Sequence, residues 1–267
     1  ADEALGEKLA RVHVDGPADE LILTYNAQPA LLAHGAAVWA VVHEKLAPVV
    51  RGAAGHSLGE FTAYHAVGAL PLEDAVKLVR RRGTLMFETG TTRPGAMAAI
   101  LGSLERPIEE ICREAAVAGE VVPANYNALE QVVISGEVDA VEKAMELAKA
   151  AGAKRAIRLN VSGAFHSSLM APAGAGLDAA LTAARWSDPS YPVYSNVTAK
   201  RIGDSGSARQ LLVQQLSSPV RWVQVIEAIA REQATGHSAE RGPGTVRTGT
   251  RNPLAAVHPP RPRATVP

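Results

Sequence analysis

The sequence has few aromatic residues and a single cysteine. Phe, Trp and Tyr make up 4% of the 267 residues, while hydrophobic residues make up 47%. A core built from this chain must therefore consist largely of Ala, Val, Leu and Ile. Cys112 has no second cysteine to pair with, which excludes an internal disulfide and a cysteine-based metal cluster. Its apolar neighbours at helical spacing predict a buried position.

The sequence also lacks net charge and a long apolar run. Lys+Arg and Asp+Glu both total 27, so the basic excess typical of nucleic-acid-binding proteins is missing. No stretch approaches the ~20 apolar residues of a membrane span. The acidic N-terminus lacks the apolar core of a signal peptide. We expect a cytoplasmic monomer with no nucleic-acid partner, no membrane partner and no metal site.

A serine lies between two glycines in the segment from Gly55 to Glu60, which reads Gly-His-Ser-Leu-Gly-Glu. The apolar run at residues 48–54 predicts a strand before it, and residues 61–70 predict a helix after it. This order exposes a serine hydroxyl on a sharp turn, where a side chain at either glycine would clash. The helix N-terminus offers N–H groups to an oxyanion. The alternative is an ordinary turn whose serine caps the helix.

The remaining pattern predicts an α/β protein with two domains. Residues 95–161 show the order β-α-β-β-α-β, so we expect a small inserted ferredoxin-like domain there. The large domain, residues 1–94 and 162–240, is expected to be α/β-hydrolase-like with a parallel sheet. Residues 241–267 are rich in proline and arginine and are expected to form a poorly ordered or atypical tail.

Two prolines mark the expected starts of long helices. Residues 24–29 predict a loop that delivers Pro29 to the first turn of one helix, and another helix begins near Pro71. One face of the second helix carries Ala75, Val79, Arg82 and Met86. Arg82 therefore continues an apolar stripe. It is interpreted either as an arginine that snorkels past the core or pairs with a structural carboxylate, or as a carboxylate-binding arginine in a pocket.

A serine nucleophile needs a base to take its proton. Among the 8 histidines, His166 lies at a predicted strand-to-helix junction, where a parallel α/β sheet places its site. His56 adjoins the serine, but neighbours on a sharp turn point apart, which favours a structural role. His166 is therefore the candidate base.

Several separated motifs occur in a fixed order along the chain. They are Gln28-Pro29-Ala30-Leu31, Gly55 to Glu60, Arg82-Gly83 with Met86, Gly95-Ala96-Met97, Asn125-Tyr126-Asn127 before Gln131 to Gly136, Gly163 to Ser167, and Ser218 to Trp222. Over residues 26–233 the sequence thus resembles the malonyl-CoA:acyl carrier protein transacylases and the wider acyltransferase family of fatty-acid and polyketide synthases.

The resemblance implies transfer of a malonyl group from malonyl-CoA to acyl carrier protein, with no cofactor. Ser57 would be acylated, and His166 would act first as base and then as acid toward the departing thiolate. The N–H of Leu58 would be an oxyanion donor. Arg82 would bind the malonyl carboxylate. The small domain would help to form the cleft for the acyl group and the pantetheine arm.

Further substrate-site residues that the resemblance implies are His56, Asn127, Phe165 and Arg221. Asn127, or alternatively Asn125, would position His166 or the substrate. A main-chain carbonyl near Arg221, rather than an aspartate, would orient His166. Leu58 and the segment ending Phe165-His166 resemble malonyl-selective members. The basic residues Lys154, Arg155 and Arg158 are interpreted either as a solvated face or as a surface for an acidic carrier protein.

Two features depart from the family pattern. The Gly-Gln-Gly segment that supplies a second oxyanion donor does not precede Ala1. We therefore expect a truncated or slower enzyme, since loss of one such donor costs on the order of 10²–10³ in rate. Residues 237–241 also replace the apolar strand expected before the Gly-Pro-Gly turn at Gly242.

Two other functions stay open from the sequence. A serine hydrolase or thioesterase would share the serine turn but would need an acid partner for the histidine. A catalytically impaired, acyltransferase-like docking subunit would not be acylated. The stand-alone form is favoured over a piece of a larger synthase, and the sequence leaves open whether the pathway makes fatty acids or polyketides.

Overall fold

The computed structural model describes the backbone of residues 1–239 and the side chains of residues 1–232. Ala1–Ile229 form one compact unit and Ala230–Pro267 a second. In the second unit, residues 230–239 are helical. The tail predicted at residues 241–267 and the turn at Gly242 lie outside the described residues.

The described residues form helices and two groups of strands. The helices are α1 (Asp2–Leu5), α2 (Leu9–Asp15), α3 (Ala18–Leu21), α4 (Thr24–Leu46), α5 (Gly59–Ala66), α6 (Leu72–Thr92), α7 (Ile108–Ala115), α8 (Val138–Ala150), α9 (Ala173–Ala183), α10 (Ser205–Gln215) and α11 (Trp222–Ala239). The strands are β1 (Ala53–Ala54), β2 (Ala96–Leu101), β3 (Val121–Ala128), β4 (Gln131–Gly136), β5 (Arg155–Arg158), β6 (Val193–Tyr194) and β7 (Arg201–Ile202). Short 3₁₀ helices cover Ala47–Val49, Ala116–Ala118 and Ser168–Met170.

Helix α4 begins at Thr24, ahead of its predicted start, and Pro29 lies inside it. Proline has no N–H, so the carbonyl of Tyr25, four residues earlier, loses its helical partner. Arg80 Nη1 donates to that carbonyl at 2.6 Å. The prediction of a loop over residues 24–29 is wrong, because a side chain from α6 supplies the hydrogen bond that the proline removes.

The sheet that leads to the serine turn has the order β1-β6-β7, with β1 and β6 parallel and β7 antiparallel to β6. Its strands are shorter than predicted. The run at residues 48–54 forms a strand only at β1, because Pro48 favours the 3₁₀ turn at Ala47–Val49. Since parallel strands end at the same edge, the segments after β1 and β6 lie side by side.

Residues 95–161 show the element order that the sequence predicts. Their sheet has the order β3-β4-β2-β5, and each neighbouring pair is antiparallel. A core of their own contains Ile100 and Ile134 from the strands and Ile111 and Val141 from α7 and α8. Cys112 belongs to this core and is 3% exposed, as the sequence predicts.

A larger core lies around α5, α6, α9 and α10. Phe61, Val79, Leu177 and Leu212 are fully buried in it. Within residues 1–239, the helices lack the combination of length and hydropathy that a bilayer crossing needs. The cores and the two sheets together give a mixed α/β fold, in which the serine turn packs on the larger core through Leu58.

Candidate active site

Ser57 lies on the turn between β1 and α5 and has the left-handed φ of 51°. A Cβ on Gly55 would lie 2.0 Å from the carbonyl atoms of Gly59, so only glycine fits at position 55. A Cβ on Gly59 would meet no heavy atom within 4 Å. The prediction that both glycines prevent a clash is therefore wrong for Gly59, whose Cα faces open space.

Asn196 fixes this turn from the neighbouring strand. It follows β6 at the edge where the turn follows β1, and it is fully buried. Its Oδ1 accepts from the N–H of Ser57 at 2.6 Å, and its Nδ2 donates to the carbonyl of Gly55 at 2.8 Å. Its own N–H donates to Glu60 Oε2 at 3.0 Å, and its carbonyl accepts from the N–H of Arg221 at 3.0 Å. Every polar group of Asn196 is thereby engaged.

His166 is the base that contacts Ser57. Its Nε2 lies 2.9 Å from Ser57 Oγ, and its Nδ1 lies 2.8 Å from the carbonyl oxygen of Gln215. A carbonyl only accepts, so Nδ1 carries the proton and Nε2 is free to take one from the serine. Burial, with the nearby charge of Arg82, lowers the pKa of His166 to about 3. The imidazole is therefore neutral at physiological pH.

The carbonyl that orients His166 belongs to Gln215, and the expectation that it lies near Arg221 is wrong. The side chain of Arg221 is exposed, and its backbone N–H binds Asn196. Gln215 is the last residue of α10, and helices leave their final carbonyls without intrahelical partners. The end of α10 therefore supplies an acceptor that other serine enzymes obtain from an aspartate.

Arg82 is 1% exposed and points at the serine. Its Nη2 donates to Ser57 Oγ at 3.1 Å and to Gln215 Oε1 at 2.9 Å, and its Nη1 donates to Gln28 Oε1 at 2.6 Å. The guanidinium lies 5.7 Å from the centre of the Phe61 ring. Burial lowers its pKa to about 10, so it stays positive at neutral pH. The interpretation as a snorkelling arginine is wrong, and within residues 1–232 no carboxylate forms an ion pair with it.

Leu58 and Phe165 pack beside the two reacting side chains. Leu58 is buried in the larger core, and its N–H has no partner among the described residues. The N–H of Ser57 is taken by Asn196, so the N–H of Leu58 is the one at this turn that remains for an oxyanion. Phe165 is half-buried and packs against the larger core and against a small cluster on the smaller sheet, formed by Met97, Ala99, Ala124 and Val133.

His56 and Asn127 contact each other rather than His166. Their Nε2 and Oδ1 atoms are 2.8 Å apart, and the His56 ring packs edge-on against Trp222 with 5.7 Å between centroids. Asn125 is buried and pairs through its backbone with Val220, ahead of α11. The structure thus places Asn127 next to the serine turn through His56, and the backbone of Asn125 beside Val220.

Four side chains of this site received no role from the sequence. They are Gln28, Glu60, Asn196 and Gln215. Gln28 and Glu60 belong to two of the ordered sequence motifs, and Asn196 follows a strand at the edge where parallel sheets place their sites. No sequence pattern could predict that the Gln215 carbonyl orients His166, because every residue has a backbone carbonyl.

A model of the family described as "Acyl transferase domain" matches residues 2–243. The chain belongs to this family. The malonyl CoA-acyl carrier protein transacylase of Salmonella typhimurium is 42% identical over 249 residues, which cover 93% of the chain and 80% of the relative. The transacylase of the same name from Bacillus subtilis is 45% identical over 251 residues, which cover 93% of this chain and 78% of that relative.

Solved structures of acyl transferases share the fold. The acyl-carrier-protein S-malonyltransferase of Bartonella henselae superposes with a TM-score of 0.82 at 43% identity, covering 86% of this chain and 74% of that one. A malonyl-transacylase solved in complex with a type II polyketide synthase acyl-carrier protein superposes with a TM-score of 0.82 at 40% identity. The match covers 87% of this chain and 75% of that one. In the described residues of the acyl transferase domain, no group of three or more His, Cys, Asp or Glu side chains is placed to hold a metal ion.

Proposed function

We propose that this acyl transferase moves the malonyl group from malonyl-CoA to the phosphopantetheine thiol of acyl carrier protein, in fatty-acid or polyketide biosynthesis. The observation that carries the proposal is the convergence of a base and a cation on one hydroxyl. His166 Nε2 lies 2.9 Å and Arg82 Nη2 lies 3.1 Å from Ser57 Oγ. A thioester whose acyl group ends in a carboxylate matches both neighbours of that oxygen.

The first half of the reaction acylates the serine. Ser57 Oγ attacks the thioester carbon while its proton moves to His166 Nε2. The negative charge that forms on the carbonyl oxygen is stabilised by the N–H of Leu58. When the intermediate collapses, the carbon–sulfur bond breaks and His166 returns the proton to the CoA thiolate. In the second half the carrier thiol repeats these steps in reverse, and the chemistry requires no cofactor.

The other assignments follow the same proposal. Arg82 holds the malonyl carboxylate, and His56, Asn127 and Phe165 line the substrate site. The backbone of Arg221 acts through Asn196, and its side chain has no part in the chemistry. Support comes from the hydrogen bond between His56 and Asn127 beside the turn and from the bond between the Arg221 N–H and Asn196.

We extend the proposal to the architecture and the assembly. Residues 1–94 and 162–240 form an α/β-hydrolase-like domain, and residues 95–161 a ferredoxin-like domain. The separate core of the smaller sheet and its strand order support this division. The protein is a monomer in the cytoplasm whose partners are malonyl-CoA and acyl carrier protein, with no nucleic acid and no membrane among them.

Mass spectrometry after brief incubation with malonyl-CoA tests the function. We expect a malonyl adduct on Ser57 in the wild type and in Ser103→Ala, which changes an exposed serine of the smaller sheet region, and no adduct in Ser57→Ala. Adding the carrier protein should then move the adduct to its thiol. Release of free malonate at the same rate with and without carrier would favour a hydrolase. Absence of an adduct in the wild type would favour a docking subunit.

A further inference from the structure

We propose that Gln28 and Gln215 set the acyl specificity of this site by holding the Arg82 guanidinium through uncharged oxygens; this inference rests on the function proposed above. The two amide oxygens lie 2.6 Å from Nη1 and 2.9 Å from Nη2 of Arg82. All three side chains are at least nine-tenths buried. The cation is thus fixed in place without a carboxylate partner, and its charge is left for the substrate.

Both amides are oriented by their own donors. Gln28 Nε2 donates to Thr24 Oγ1 at 2.8 Å and to Met86 Sδ at 3.4 Å. Gln215 Nε2 donates to Glu60 Oε2 at 2.7 Å. Because the nitrogen of each amide has a partner elsewhere, the oxygen of each must face the arginine. The neighbours therefore select an acceptor for Arg82 at both positions.

The reach of Gln28 depends on the close crossing of α4 and α6. A Cβ on Gly83 would lie 2.6 Å from Tyr25 Cα and 2.8 Å from the carbonyl oxygen of Thr24. The absence of a side chain at Gly83, next to Arg82, lets the first turn of α4 approach α6. Gln28 lies one turn after Thr24 on the same face, so its amide arrives beside the guanidinium.

A carboxylate at either position would give a different site. It would pair with Arg82 in two-pronged geometry and cancel the charge that a malonyl carboxylate needs. The Glu60 carboxyl is close enough for its charge to act on Arg82, but among the described residues no hydrogen bond or ion pair joins the two side chains. Glu60 Oε2 accepts from Asn196 and Gln215, its Oε1 has no partner within residues 1–232, and burial raises its pKa to about 7. The neutrality of the two glutamines is therefore what keeps Arg82 selective for a charged acyl group.

The test compares Ser57 acylation by malonyl-CoA and by acetyl-CoA, measured by rapid quench and mass spectrometry. In Gln28→Glu we expect the ratio of malonyl to acetyl rates to fall about 10- to 100-fold, with the acetyl rate unchanged or higher. Gln28→Met removes one acceptor without adding charge and should lower the ratio less than Gln28→Glu does. Gln214→Glu makes the same change on the exposed neighbour of Gln215 and should leave the ratio unchanged.

The possible outcomes separate this inference from the proposed function. Equal loss of both rates in Gln28→Glu, or an unchanged ratio, would overturn the inference. If the wild type takes no malonyl group, the proposed function fails first. If the wild type is acylated but Arg82→Ala leaves the ratio unchanged, Arg82 does not select the acyl group and the inference alone is overturned. Should Gln28→Glu not fold, Gln215→Glu carries the same expectation at the second amide, and an unchanged ratio there also overturns the inference.

Discussion

Ser57 and His166 both have a left-handed backbone, with φ of 51° and 61°. Residues with a Cβ rarely adopt this region, and the conformation costs on the order of 1 kcal/mol or more unless neighbours hold it. The Ser57 N–H is held by Asn196, and the His166 N–H donates to the carbonyl of Leu216 at 3.1 Å. The two reacting side chains are thus aimed at each other by strained backbone that buried hydrogen bonds stabilise.

The buried, neutral state of His166 predicts how acylation depends on pH. Its pKa is lowered to about 3, so the form that accepts a proton is lost only as pH falls through that value. In the Glu60→Gln variant, which lacks the site carboxyl that titrates near pH 7, we expect the rate of Ser57 acylation by malonyl-CoA to stay constant from about pH 5 to about pH 8, where an ordinary histidine titrates. Rapid-quench measurements across this range check it. A loss of rate with a midpoint near 6.5 would contradict the assignment.

At the scale of elements, only one of the two glycines in the serine turn is required to avoid a steric clash. Gly55→Ala would push a Cβ into the backbone of Gly59 and should lower the free energy of unfolding by about 3 kcal/mol or more. Gly59→Ala adds a methyl group to open space at the first residue of α5. It should stay within about 1 kcal/mol of wild type. Urea unfolding of both variants measures the difference, and equal destabilisation would show that the turn relaxes.

The length of each element decided how well the sequence predicted it. Helix α6 begins beside Pro71, and its row Ala75, Val79, Arg82 and Met86 is buried as its spacing predicts. The strands β1 and β6 have two residues each, too few for an alternating pattern, and the predicted strands there were too long. The start of α4 was missed because the partner of the Tyr25 carbonyl is Arg80, which lies on another helix.

The residues of the candidate site also differ in how well the sequence predicted them. Ser57, His166 and Arg82 are found together, and each had a local signal: a glycine-flanked serine, a histidine at a junction and a cation on an apolar stripe. The carbonyl of Gln215 had none, since a backbone acceptor leaves no trace in the residue type. Its distance of 2.8 Å from His166 Nδ1 is a property of where α10 ends.

At the scale of the whole molecule, the two core regions of Ala1–Ile229 are tied by backbone. Strand β3 belongs to the smaller sheet, yet the Tyr126 N–H donates to the carbonyl of Val220 at 2.9 Å, and the Val220 N–H donates to the carbonyl of Ala124 at 2.8 Å. Asn127, in the same strand, reaches His56. The smaller sheet thereby places the end of β3 beside the serine turn.

The free energy of unfolding should depend on pH through the ionisation of Glu60. Its pKa rises from 4.5 to about 7 because the carboxyl is buried, and hydrogen bonds from Asn196 and Gln215 oppose the shift only in part. Between these values the folded state keeps a proton that the unfolded state has lost, so stability falls as pH rises. We expect wild type to lose about 3 kcal/mol more unfolding free energy than Glu60→Gln over this interval.

Chemical denaturation of both proteins at a series of pH values measures this difference. Other titrating groups, including His166, contribute equally to the two curves and cancel in the comparison. Parallel curves for wild type and Glu60→Gln would show that Glu60 ionises normally in the folded protein.

Asn196 also bears on how this serine turn can be moved to another protein. Four of its hydrogen bonds end on Gly55, Ser57, Glu60 and Arg221, so the shape of the turn is set by a residue outside its own six. A transplant of Gly55 to Glu60 alone would lose the acceptor that holds the serine backbone. A graft that keeps a working nucleophile must bring the end of a parallel neighbouring strand with its asparagine, together with the residue that receives each bond.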